Sequence, residues 1–148
     1  FNRSMPRIKF RYLPHTADVR FVAYGKSFKE ALENAAMAML GVMLEIRKIE
    51  KQNYKPKTLA ISESASTRED LVWFTLQDLL SRIDKKAINA YSFRIISLEE
   101  GKRLKLKGKL LFKDVDKDYH LLEIKAVTPH DLRVVEGKNW KIFVLVDV

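Results

Sequence analysis

The sequence predicts an α+β fold in which two helices pack on a mostly antiparallel sheet, as a sandwich. Two segments repeat apolar residues at helical spacing, and seven others alternate or run apolar in the manner of strands. Their order, β-β-α-β-α-β-β-β-β, departs from the regular alternation of parallel βαβ proteins. With 148 residues, 47% hydrophobic and 32% charged, the chain has the size of one domain and enough apolar residues for a core. Residues 1–4 (FNRS) precede Met5 and read as a leftover of cloning, so the domain is placed at residues 5–148.

Strand patterns open the chain at residues 8–13 and 18–24. The first helix is SFKEALENAAMAMLGVM, where Ser27 and Glu30 form a capping box. Ala31, Leu32, Ala35, Ala36, Met39 and Leu40 then make one apolar stripe, and Gly41 stands where a helix can end. The charged stretch EIRKIEKQNYKPK, residues 45–57, reads as a mobile loop. A strand at 58–62 precedes the second helix, STREDLVWFTLQDLLSRID, capped by Ser66 with Glu69 or by Thr67 with Asp70. Leu71, Val72, Leu76, Leu79, Leu80 and Ile83 are its buried face, widened by Trp73 and Phe74. Four strands close the chain at 90–98, 103–112, 119–127 and 140–147. EEGK and DVDKD are the expected hairpin turns.

Composition removes several function classes. There is no cysteine, so disulfides, thiolate zinc sites and a cysteine nucleophile are excluded. No apolar run approaches the ~18 to 20 residues that span a bilayer, and no signal-peptide pattern opens the chain. A cytoplasmic protein with no membrane partner is expected. The glycines are scattered and form no phosphate-binding loop, so no nucleotide is expected to bind by itself. The net charge of +9 favours acidic partners, nucleic acid first, or marks a lysine-rich solvated surface.

Four constellations carry possible chemistry. In YLPHTADVRF, Asp18 stands at the mouth of a strand beside His15. In WKIFVLVDV, Asp147 follows a strongly apolar strand, one residue before Val148. Either carboxylate can point into water. If the first and last strands are neighbours, however, the two meet and repel unless a cation joins them. A hard cation such as Ca²⁺ or Mg²⁺, which prefers oxygen ligands, would resolve the conflict at Asp18 and Asp147, with the Val148 carboxylate and nearby carbonyls completing its shell. In EIKAVTPHDLRV, Lys125 interrupts an apolar strand, either snorkelling or aimed at an anion. His130 and Asp131 are a base with its orienter, or turn chemistry. LKLKGKLLFK places Lys105, Lys107 and Lys109 on one face, as a ladder for phosphates or as charge that discourages edge pairing. DVDKDY lacks the glycine and the final glutamate of a calcium loop.

Together these segments resemble the archease family over nearly the whole of residues 8–148. The resemblance rests on YLPHTADVRFVAYGKSFKEALENAAMAML, EDLVWFTLQDLL, LEIKAVTPHDLRV and the terminal VDV. It implies an archease-like sandwich and an accessory protein without stand-alone enzymatic activity. The partner implied is an RtcB-type RNA ligase of tRNA splicing, touching tRNA through the ligase. The family promotes loading of that ligase with GMP from GTP and its multiple turnover, with a divalent metal. By motif the metal ligands are Asp18, Asp147 and Val148, and Lys125 is needed for ligase activation, with His15, His130 and Asp131 in support. Arg20 after HTADV and Pro129 before His130 depart from the pattern. The alternative from another class is a basic RNA-binding or chaperone module acting on tRNA or a tRNA-modifying enzyme through the lysine ladder.

Overall fold

The computed structural model describes residues 8–14 and 18–148. Strands β1 (Phe10–Leu13) and β2 (Val19–Gly25) lead into helix α1 (Phe28–Met43) and a short helix α2 (Ile46–Lys51). Strand β3 (Lys57–Ala65) and helix α3 (Arg68–Lys86) follow, then β4 (Asn89–Glu100), β5 (Leu104–Lys113), β6 (Ala126–Val135) and β7 (Trp140–Asp147). The strands form two antiparallel sheets, ordered β1-β2-β7-β6 and β3-β5-β4.

The architecture is α+β, with two corrections. There are two separate sheets, and α1 packs against β2 and β7 of one and β4 of the other, while α3 packs against β3 and β6. The long helices therefore lie between the sheets, and the outer face of each sheet turns to solvent. The apolar stripes explain this, because Leu32, Ala35, Ala36, Met39, Leu71, Leu76, Leu79 and Ile83 are all wholly buried. The small residues of α1 leave room for sheet on both sides.

The second correction is α2, in the segment read as a loop. Ile49 is wholly buried and Ile46 packs against the core, so two apolar residues three apart suffice to seat one and a half turns. Lys113, itself buried, donates to the carbonyls of Glu50 at 2.7 Å and Gln52 at 3.0 Å. These groups end a helix whose last carbonyls lack internal donors, and a cation there suits the dipole. Substitution Lys113→Met is expected to lower stability by about 1.5–3 kcal/mol, the range for hydrogen bonds from charged groups, measured by urea unfolding.

Several local readings are resolved by geometry. Ser27 accepts from the Glu30 amide at 3.1 Å and Glu30 reaches back to the Lys26 amide at 2.7 Å. For α3 the cap is Thr67, which accepts from the Asp70 amide at 3.1 Å. Gly41 does not end α1. It lies inside the helix, where a Cβ would stand 3.0 Å from the Tyr12 hydroxyl, which donates to the Ala38 carbonyl. Phe74 is exposed rather than part of the buried face. The strand expected at 119–127 begins only at Ala126; before it the chain is irregular apart from an isolated bridge of His120 with Leu44, anchored by buried Tyr119 and Ile124, with Leu121 and Leu122 exposed. DVDKD is thus no hairpin turn, and its Asp118 accepts from the His120 amide.

Glu63 occupies an inward-facing position on edge strand β3, an arrangement that discourages edge-to-edge pairing. Burial raises its carboxyl to about 8, and a hydrogen bond and repulsion from Asp78 act in the same direction, opposed by Arg82. Arg82 itself holds Asp78 at 3.2 Å. The folded state keeps a proton that the unfolded chain releases near its ordinary value of 4.5, so stability is full below that pH and falls as pH rises toward 8. A loss of about 1–2 kcal/mol across this window is expected, allowing for partial exposure. Glu63→Gln should flatten the profile in urea unfolding measured from pH 5 to 8.5.

A candidate metal centre at the ends of three strands

The candidate site is built by register. Strands β2 and β7 pair from Gly25–Trp140 to Val19–Val146. Asp18 and Asp147 stand one residue beyond that last pair, on neighbouring strands. Continued by one pair, the ladder would oppose Asp18 to Asp147 with Cα atoms about 4.5–5.5 Å apart, a spacing that one ion can bridge. Side-chain alternation sends Val146 into the core, wholly buried, and leaves Asp147 exposed and Asp18 half-buried.

The third strand brings Lys125. Ala126 of β6 is opposite Asp147 on the other flank of β7, and the Lys125 amide donates to the Asp147 carbonyl at 2.7 Å. Lys125 is exposed, so its ammonium has no apolar cover. Asp18, Asp147 and Lys125 therefore gather at one end of the four-stranded sheet, although they are far apart in sequence. Val148 packs against the core, which holds the main chain beyond Asp147 in place.

Helix α3 fixes the start of β6. Trp73 donates its indole N–H to the Val127 carbonyl at 2.8 Å, and Gln77 accepts from the Val127 amide at 3.0 Å. Glu69 accepts from the Val134 amide at 3.3 Å. These three residues, four apart along one helix face, satisfy the free backbone of an edge strand that would otherwise be unpaired. The sequence pattern places Trp73 on the buried face and gives Gln77 no role. Their i, i+4 spacing was visible, but its target was not.

The remaining predicted residues separate from this cluster. His15 lies outside the described residues. His130 and Asp131 are exposed in a bulge of β6 between Thr128 and Arg133, not in a turn between elements. Pro129 fits there because the ladder is interrupted and needs no donor. On the outer face Arg20 and Arg133 flank the Phe143 ring at 5.9 and 4.8 Å. Among the described residues the buried Nε of Arg20 has no hydrogen-bond partner.

The donor set can be tested against its proposed ion. Among the described residues no three His, Asp or Glu side chains converge on one point. Asp18 and Asp147 would offer two carboxylates to such an ion, and main-chain oxygens near Val148 would be further donors. An all-oxygen, open set of this kind fits a hard divalent cation that keeps part of its water.

Comparison with known proteins places the chain. The sequence model described as the Archease protein family (MTH1598/TM1083) matches residues 10–148. The chain belongs to the archease family. It is 33% identical to protein archease of Methanosarcina acetivorans over 144 residues, covering 95% of this chain and 96% of that one. With protein archease of Sulfurisphaera tokodaii it shares 30% identity over 140 residues, 93% and 96% of the two chains. Among solved structures, Methanobacterium thermoautotrophicum protein 1598 superposes with a TM-score of 0.79 at 26% identity, over 95% of this chain and 99% of that one. An archease from Thermotoga maritima described as a possible chaperone gives 0.51 at 25% identity, over 97% and 98%. The two antiparallel sheets and three helices are thus an archease fold.

Proposed function

We propose that this archease is an accessory activator of an RtcB-type RNA ligase in tRNA splicing. It promotes GTP-dependent guanylylation of the ligase and repeated turnover, and has no ligase activity of its own. The observation that supports the reading is that Asp18, Asp147 and Lys125 lie at one end of the four-stranded sheet, at or next to the ends of β2, β7 and β6. In this reading Asp18, Asp147 and Val148 hold a divalent ion, Ca²⁺ in the first place and Mg²⁺ or Mn²⁺ as alternatives. When bound, such an ion neutralises phosphate charge and acts as a Lewis acid. Lys125 adds a fixed positive charge beside it, directed at an acidic or phosphate-bearing group of the ligase intermediate. The rigid sheet, braced by Trp73 and Gln77, holds these groups in place before the encounter. The setting is cytoplasmic; among the described residues no helix is long and apolar enough to cross a membrane.

The test is ligation with the ligase limiting and RNA ends in excess, with GTP and a divalent ion. Turnover is expected to continue beyond one product per ligase only when this protein is added. Equal turnover in its absence would remove the reading.

A further inference from the structure

We propose that the outer face of the β3-β5-β4 sheet binds the phosphate backbone of RNA. This site is independent of the metal centre and lies on the other sheet. Lys105, Lys107 and Lys109 alternate with buried Leu104, Leu106 and Leu110 along β5, so all three ammonium groups stand on the solvent face. At about 3.3 Å per residue the row spans about 13 Å. The order β3-β5-β4 makes β5 the central strand, hydrogen-bonded on both sides. Charge placed to discourage edge pairing therefore does not explain these lysines, since β5 has no free edge.

The neighbours extend the row into a patch. Arg94 is opposite Lys109 on β4, and Arg103 lies at the far end, held by the hydroxyls of Ser64 at 3.0 Å and Ser66 at 3.1 Å. Among the described residues none of the three lysines and Arg94 forms an ion pair, although Glu99 is opposite Lys105. On the β3 side the facing residues are small, Ser64 opposite Lys105 and Ser62 opposite Lys107. The lysines thus rise from a low, hydroxyl-bearing floor.

This chemistry favours nucleic acid over an acidic protein. Phosphate contacts are made by Lys and Arg together with Ser and Thr hydroxyls. Protein interfaces concentrate aromatic anchors and are depleted in Lys. Among the described residues the one exposed large apolar side chain of this sheet is Ile96, in the bulge of β4.

The test is fluorescence anisotropy of a labelled single-stranded RNA of twenty nucleotides with the free protein, from 50 to 200 mM salt. Lys105→Gln/Lys107→Gln/Lys109→Gln is expected to weaken binding about tenfold or more at low salt. It should also reduce the slope of log K against log salt by about 2, for three contacts at ~0.7 each. A charge-matched variant on the exposed helix positions, Lys29→Gln/Lys85→Gln/Lys86→Gln, should stay near the parent. Asp18→Ala should retain RNA binding, which separates this site from the ligase reading. The proposal is overturned if the ladder variant binds like the parent, or if the helix variant loses as much. Competition by poly-glutamate as effective as unlabelled RNA would likewise overturn it, in favour of an acidic protein partner. Unchanged thermal unfolding of the ladder variant confirms that a loss belongs to the face.

Discussion

Asp18→Ala and Asp147→Ala are each expected to abolish most of the stimulation of multiple-turnover ligation, by about 10–100-fold, the scale on which metal sites respond to lost support. The reason is geometric. Each substitution removes one of two carboxylates at the β2–β7 end, and among the described residues no third acidic side chain stands close enough to replace it. Neither should harm the fold, because Asp147 is exposed, Asp18 is half-buried, and both lie outside the core. Parent-like stimulation by both variants would mean that the strand-end carboxylates do not carry the activity. Lys125→Ala is expected to lose stimulation while keeping the ion, since its amide, not its side chain, holds the Asp147 carbonyl.

Phe21→Ala should have the opposite profile, with a large loss of stability and no chemical loss at the site. Phe21 is wholly buried in β2, opposite Val144 of β7 and edge-on to the Tyr12 ring at 6.3 Å. Truncating a buried phenylalanine costs about 3–5 kcal/mol through lost transfer energy and the cavity left behind. In a chain of this size that is a fall of about 10 °C or more in melting temperature. The folded fraction, assayed at low temperature, should still stimulate the ligase. A loss below about 1 kcal/mol in urea unfolding would show that the core around β2 is far more yielding than its burial implies. The pair of experiments separates the residues that form the platform from those that act on it.

Much of this was legible in the sequence, for identifiable reasons. The helices announced themselves through Ser27, Thr67 and their apolar stripes, because helix signals are local. Asp18 and Asp147 stood out because each carboxylate sits at the end of an apolar strand. Their meeting was only conditional on strand order, and the register Val19–Val146 supplies it. The short helix α2 was missed because charge density hid Ile46 and Ile49. The strand at 119–127 was misplaced because Tyr119 and Ile124 anchor a chain that pairs with little else. Lys113 and Gln77 were invisible, since each makes its contacts with backbone distant in sequence. The lysine ladder was read correctly as an outer face. Its reason changed once β5 proved to be central.

The central claim is that Asp18 and Asp147 share a divalent ion, and calorimetric titration of the metal-free protein with Ca²⁺ tests it most directly. About one ion per chain is predicted to bind the parent, and binding should be lost in both Asp18→Ala and Asp147→Ala. Undiminished Ca²⁺ binding in both variants, or no binding of Ca²⁺, Mg²⁺ or Mn²⁺ by the parent, would contradict it.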